Sequence, residues 1–388
     1  MASNPSVSGQ ADPARVDFDP VTLAVAGVQR LSPYQPGKPV ATLERELGIT
    51  QAIKLASNEN PLGPSPLAVE AGHAALADAH VYPDGNGFEL QSRLAERHGV
   101  APEQITLGNG SNEVLELIAR TWLAPGRAAV FSAHAFAVYP LVTQAVNAEA
   151  RVAPALPADH PAQPFGHDLA AMQSRVNADV RVVFVANPNN PTGTWLDTAA
   201  LEAFVAAMPA TTVIVVDEAY FEYVEEASYP DTTQWLDRFP NLIVTRTFSK
   251  IQGLAGLRLG YAVSSPGVAE LLNRVRQPFN VNAVAQAAGL AALDDAAHVA
   301  KSVAINRAGV RQVSEALREM GLRVIPSVGN FVTFDTGRDP GPVYDVMLRE
   351  GVITRPVENY GLPGHLRVTV STPEDNDRFL MALKKALA

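Results

Sequence analysis

Between residues 105 and 247 the chain carries β-like runs whose apolar residues are continuous rather than alternating, and this pattern restricts the possible folds most. The runs are Ile105–Leu107, Ala128–Phe131, Val180–Ala186, Thr212–Val216 and Leu242–Thr247. A strand that is apolar on both faces must be covered on both faces, which means a mostly parallel sheet between helices. Helical periodicity fills the gaps at Ser111–Trp122, Ala137–Ala145 and 197–208. This βαβα order predicts a large α/β domain over residues 65–280. The C-terminal part reads differently. Helices at 282–293 and 297–320 are followed by the order strand, strand, helix, strand, strand, helix, which predicts a smaller α+β domain over 281–388. The Pro- and Gly-rich stretch within 21–64 is expected to return to that domain, and residues 1–20 read as a flexible arm.

Length and charge narrow the function classes. A single core stops growing near ~250–300 residues, so 388 residues suit two domains. Forty acidic against thirty basic side chains give a net charge of −10, which argues against a nucleic-acid-binding surface. The chain has no cysteine, which excludes disulfides, thiolate zinc sites, Fe–S clusters and cysteine nucleophiles and suits a reducing, cytoplasmic setting. The longest apolar stretches fall short of the ~18–20 residues of a membrane helix, and the first twenty residues lack the apolar region of a secretory signal. The eight histidines show no His-Glu-x-x-His spacing, so no metal site is expected.

Sheets of this class place ligands beyond the carboxyl ends of their strands. Four runs here end in polar turns. The first ends in Gly108-Asn109-Gly110-Ser111-Asn112-Glu113, which can open a helix and hold a phosphate on its free amides. It fails as a dinucleotide fingerprint because Glu113 occupies the third glycine position. Ser111 or Asn112 serves equally well as a plain N-cap. The second ends in Asn187-Pro188-Asn189-Asn190-Pro191-Thr192-Gly193, a long turn in which an asparagine amide can face a ligand oxygen. The third ends in Asp217-Glu218-Ala219-Tyr220. A carboxylate at the end of a buried strand needs a partner, either a structural cation or a protonated ring nitrogen. The fourth ends in Phe248-Ser249-Lys250, with Thr247 before it and Arg258 eight residues on. A lone lysine is usually solvated, but hydroxyls and an arginine suit a phosphate dianion and a partly desolvated amine suits a Schiff base. Lysine, carboxylate, phenolate donors and phosphate cup together specify pyridoxal 5'-phosphate.

With these residues in place, the sequence resembles the fold-type-I pyridoxal-phosphate aminotransferases, and within them the histidinol-phosphate aminotransferases. The resemblance runs through LASNENPLGPSP (55–66), YPDGNGFELQSRLAERHGV (82–100), LGNGSNEVLELIA (107–119), ANPNNPTGT (186–194), VDEAYFEY (216–223), TRTFSK (245–250), AGLRLGY (255–261), RQPFNVN (276–282) and GHLRVTV (364–370). It implies that Lys250 joins the cofactor aldehyde, that Asp217 pairs with the ring nitrogen and that Asn190 and Tyr220 bond the ring oxygen. Thr247, Ser249 and Arg258 would hold the phosphate with the amides around Ser111 and Asn112, and Phe136 would stack on the ring. Tyr82 would reach the cofactor of a neighbouring subunit, which implies a homodimer with shared sites. Arg367 would bind the carboxylate of glutamate or 2-oxoglutarate and the phosphate of L-histidinol phosphate, with Asn58, Asn330 and the partner chain's Tyr34 completing the substrate pocket. The implied reaction is ping-pong transamination giving imidazole-acetol phosphate and glutamate, a step of histidine biosynthesis.

The chain departs from the family pattern after the lysine. Family members commonly read Ala-Tyr-Gly-Leu, where this chain has Ile251-Gln252-Gly253-Leu254. That change opens the question of substrate preference, with an aromatic-amino-acid aminotransferase as the alternative on the same scaffold. A pyridoxal-phosphate-binding regulator is disfavoured by the net charge and by the lack of a preceding DNA-binding domain. A nicotinamide-dependent dehydrogenase is disfavoured by the failed glycine fingerprint.

Overall fold

The computed structural model describes residues 19–34 and 36–388. The arm expected at 1–20 lies outside these residues except for its last two positions, where Asp19 caps the short helix Pro20–Leu23. The strands, in chain order, are β1 Ile53–Lys54, β2 Ile105–Gly108, β3 Ala128–Ser132, β4 Glu149–Ala153, β5 Val180–Ala186, β6 Val213–Asp217, β7 Leu242–Thr247, β8 Gly260–Ser264, β9 Arg323–Ile325, β10 Phe331–Asp335, β11 Val352–Ile353, β12 Arg355–Pro356 and β13 His365–Thr369.

Seven strands form the main sheet in the order β2-β8-β7-β6-β5-β3-β4. All run parallel except β8, which is antiparallel to both of its neighbours. The carboxyl ends of β2, β5, β6 and β7 therefore share one edge. Burial explains the continuous apolar runs. Val183 and Val185 of β5 and Ile214 and Val216 of β6 point into one hydrophobic cluster. Val182 and Phe184, with Val213 and Val215, point into the cluster on the opposite face. The sequence reading passed over β4 and β8. β4 lies at the sheet edge and is largely exposed, so it lacks a double-sided apolar run. β8 is apolar only at Tyr261, Ala262 and Val263, between a glycine and a serine, so it offers too short an apolar run.

A four-stranded antiparallel sheet, β12-β13-β10-β9, lies in the C-terminal part. The helices Ala296–Glu319, Pro340–Arg349 and Pro373–Leu387 cover it. The segment after residue 40 reaches this unit directly: β1 pairs in parallel with β11, and Leu43 packs with Leu348 and Ile353. The helix Ala283–Asp294, however, buries Ala285, Ala288 and Ala292 in the main-sheet cluster. We therefore propose that the smaller unit begins after this helix, near residue 295, rather than at 281. No helix among the described residues is long and apolar enough to cross a membrane.

An ion cluster buried beside the functional edge ties β6 to β7. The Arg246 guanidinium donates to Glu218 Oε2 through Nε at 2.9 Å and Nη2 at 2.7 Å, and to Asp231 Oδ1 at 2.7 Å. Thr232 donates its hydroxyl to Glu218 Oε1 at 2.6 Å, and the Arg246 Cζ sits 3.5 Å from the Phe221 ring centre. Arg246→Ala leaves Glu218 fully buried without its cation. It is expected to destabilise the fold by about 3–5 kcal/mol, measurable by urea or thermal unfolding of the apo-protein. A loss below about 1 kcal/mol would show that the cluster does not hold the two strands together.

Candidate active site

The shared strand edge opens into a cavity of about 170 Å³ between the main sheet, the β13 strand and the segment Ser57–Asn58. Its walls bring together Tyr34, Asn58, Ser111, Asn112, Phe136, Asn190, Asp217, Tyr220, Thr247, Ser249, Lys250, Arg258 and Arg367. Thirteen of the fifteen residues proposed from sequence thus meet in one place. Asn330 stands behind the wall and donates to the Asn58 carbonyl oxygen at 2.9 Å. Tyr82 lies outside this chain's cavity, on the surface, stacked on Phe279 at 4.8 Å. Tyr34 was expected to come from a partner chain; here it lines the cavity of its own chain.

One end of the cavity gathers groups able to hold an anion. The helix Ser111–Trp122 starts after Gly110, which makes no side-chain cap, so Ser111 and Asn112 are its first two residues rather than its cap. Gly110 is required twice over: its φ is +81°, and a Cβ there would stand 2.6 Å from Arg258 Nη2. A Cβ on Gly260 would stand 2.2 Å from the Ser111 amide. Two glycines thus let a helix N-terminus and a guanidinium converge with the Thr247 and Ser249 hydroxyls.

At the floor, Asp217 ends β6. Burial pushes its carboxyl up to about 6, while hydrogen bonds from Tyr139 and Thr245 work against that rise. Lys250 extends from the loop after β7 and donates to the Ser57 carbonyl oxygen at 2.9 Å. Burial lowers its ammonium to about 7; Arg367 and Arg258 add repulsion, against the pull of Glu59. Such an amine is largely neutral just above pH 7, the state a nucleophile or general base needs. Burial raises Tyr220 to about 12, so its hydroxyl stays protonated. That hydroxyl accepts from Asn58 Nδ2 at 2.9 Å, which leaves its own hydrogen to donate into the cavity.

The far end is cationic. Arg367, central in β13, is 5% exposed and donates to the Ala56 carbonyl oxygen at 2.6 Å and to Asn190 Oδ1. Because the Asn190 oxygen faces Arg367, its amide N–H₂ is free to serve as a donor. The Arg367 Nε has no hydrogen-bond partner among the described residues. A second buried arginine, Arg355, pairs opposite Arg367 across β12 and β13, with its Cζ 5.8 Å from the Tyr34 ring centre.

Sequence reasoning missed Arg355, Ser57 and the two residues that bond Asp217. Thr245 stood in a quoted motif and Tyr139 in an expected helix, but neither had a sequence signal linking it to the carboxylate. The departure after the lysine also resolves. Neither Ile251 nor Gln252 lines the cavity. Ile251 packs with Tyr220, Tyr223 and Phe331, and Gln252 is buried near Glu222.

The sequence pattern of the family "aminotransferase class I and II" matches residues 50–383. A Pseudomonas aeruginosa protein named histidinol-phosphate aminotransferase 2 is 58% identical over 95% of this chain and 99% of its own. A Methylococcus capsulatus protein of the same name is 56% identical over 94% and 98%. The chain belongs to the histidinol-phosphate aminotransferases, within the class I and II aminotransferase family. Among solved structures of similar form is a histidinol-phosphate aminotransferase from Sinorhizobium meliloti in complex with pyridoxal 5'-phosphate. It superposes with a TM-score of 0.83 at 28% identity, covering 96% of this chain and 98% of that one. A Thermus thermophilus aspartate aminotransferase variant, at 22% identity and TM-score 0.80, covers 93% and 98% and shares the fold.

Proposed function

We propose that this aminotransferase uses pyridoxal 5'-phosphate to exchange the amino group of L-histidinol phosphate with 2-oxoglutarate, giving imidazole-acetol phosphate and glutamate in histidine biosynthesis. The observation that carries this reading is a cavity with an anion cup at one end and the buried Arg367 at the other, bracketing Lys250 and Asp217. The residues present fit the cofactor: the glycine-lined cup suits its phosphate, Asp217 its ring nitrogen, Tyr220 and Asn190 its ring oxygen, Phe136 its face, and Lys250 its aldehyde. Relatives of the same name at 56–58% identity favour histidinol phosphate over aromatic amino acids as the donor.

When bound, the cofactor supplies an electron sink for the α-carbon of the substrate. The chain's residues do the rest. Asp217, ionised above about pH 6, keeps a proton on the ring nitrogen. Lys250 Nζ, neutral above about pH 7, takes the α-proton and returns it on the cofactor side. Arg367 orients each substrate by its anion, the phosphate of one and the carboxylate of the other, through the same planar fork. Arg355 adds a second positive charge behind it. Asn58, fixed by Thr369 and Asn330, holds the Tyr220 hydroxyl in place. In this reading the protein works as a cytoplasmic homodimer, and Tyr82, 79% exposed on the surface, supplies a contact to the partner's cofactor phosphate.

Steady-state kinetics test the substrate. The kcat/KM for histidinol phosphate is expected to exceed that for phenylalanine by roughly 100-fold or more, since an arginine pair built for a dianion gains less from a benzyl group. Faster turnover of phenylalanine would transfer the enzyme to the aromatic class. A pH series tests Lys250. Borohydride-trapped labelling of apo-protein by pyridoxal phosphate should rise about tenfold per pH unit below 7 and level off above it. A rise continuing to pH 10 would mean that the amine is not desolvated.

A further inference from the structure

We propose that Tyr139 is a positioning residue that holds Asp217 in the ionised, oriented form needed to grip the cofactor's ring nitrogen. The inference rests on the reading that Asp217 faces that nitrogen. Tyr139 lies in the first turn of the helix Val138–Ala145, three residues after Phe136 on the cavity wall. Its ring is fully buried and lies flat on Phe184 of β5, with centres 4.7 Å apart and planes 6° apart. Its hydroxyl donates to Asp217 Oδ2 at 2.9 Å. The other carboxylate oxygen, Oδ1, accepts from Thr245 Oγ1 at 3.0 Å.

Three physical points follow. Burial alone favours a neutral carboxyl, and each donor to the charged form opposes that. Burial also holds the Tyr139 hydroxyl well above its ordinary range, so it remains a donor. Bonds to both oxygens fix the plane of the carboxyl group, and each oxygen keeps a free lone pair. A phenylalanine would fill the same stack, so packing does not require the hydroxyl. What the hydroxyl adds is charge and orientation at Asp217. An ionised, oriented carboxylate makes a charge-assisted bond to a protonated ring nitrogen, and a neutral or rotated one does not.

The test measures binding to apo-protein, by equilibrium dialysis, of pyridoxal phosphate and of its 1-deaza analogue, in which carbon replaces the ring nitrogen. Tyr139→Phe is expected to weaken pyridoxal phosphate by about 10- to 100-fold, the range for one hydrogen bond to a charged group. It should leave the deaza analogue unchanged. Thr245→Val, which removes the second donor, should repeat the pattern and stands in should Tyr139→Phe fail to fold. Phe184→Leu, which loosens the stack but spares the hydroxyl, should affect both ligands alike. Equal weakening of both ligands by Tyr139→Phe, or no weakening of either, overturns the proposal. Asp217→Asn separates the underlying reading. If it abolishes the preference for pyridoxal phosphate while Tyr139→Phe does not alter it, only Tyr139's role falls. If Asp217→Asn keeps the preference, the placement of Asp217 at the ring nitrogen falls and takes the Tyr139 role with it.

Discussion

Lys250→Ala is expected to reduce turnover of histidinol phosphate roughly ten-thousand-fold or more, with no loss of folding stability. Among the described residues the side chain makes a single hydrogen bond, to the Ser57 carbonyl oxygen, and no salt bridge. Its ammonium is depressed to about 7 by burial, so the folded state pays for holding it charged. The unfolded chain keeps that proton up to about 10.4. Between these values the unfolded state binds more protons, and stability contributed by this site rises with pH. Removing the amine therefore relieves a cost at or below pH 7. Thermal unfolding of the apo-variant at pH 7 should match or exceed the parent, while steady-state assays read the rate loss. Substantial activity in the variant would remove Lys250 from the reaction. A large fall in stability would mean that the amine is structural.

Arg367→Ala carries the second large effect. The guanidinium is buried and anchored on the Ala56 carbonyl oxygen and on Asn190, and its Nε has no partner among the described residues. An anion bound by its fork gains two charge-assisted hydrogen bonds of about 1.5–3 kcal/mol each, so kcat/KM should fall roughly 100- to 10,000-fold. If one arginine serves both substrates, single-turnover measurements will show the loss in the histidinol-phosphate and the 2-oxoglutarate half-reactions alike. A loss confined to 2-oxoglutarate would assign the donor's phosphate to another group, with Arg355 the first candidate. Arg367→Lys should recover little, because a point charge does not replace a planar pair of donors.

Much of the site could be read from local sequence because its residues sit where apolar strands stop. Asp217 follows four apolar residues, Lys250 follows β7 by three positions, and Asn190 lies in the turn after β5. A buried strand can end only in a segment able to satisfy its own polar groups, so polar residues at such ends mark the sheet's working edge. The double-sided apolar pattern likewise required helices on both faces. Whether Ser111 and Asn112 cap the helix or begin it was decided only by the fold, since both arrangements use the same residues.

The remaining features depend on contacts between residues far apart in the chain. Tyr139 meets Asp217 across 78 positions, Asn58 meets Tyr220 across 162, and Arg367 meets Ala56 across 311. No local periodicity encodes such pairs. They follow from the strand order, which sets β5, with Tyr139 stacked on its Phe184, beside β6 and its Asp217, and from the β1–β11 pairing, which draws Ser57 and Asn58 over Lys250. The same holds for Ile251 and Gln252. Their neighbours in sequence suggested a role in substrate choice, but the turn after β7 directs both away from the cavity. Amino-acid order alone therefore specified the layers, the working edge and the chemistry along it. Packing across the sheet decided which distant side chains meet there, because burial compels each polar group to find a partner wherever the fold brings one within reach.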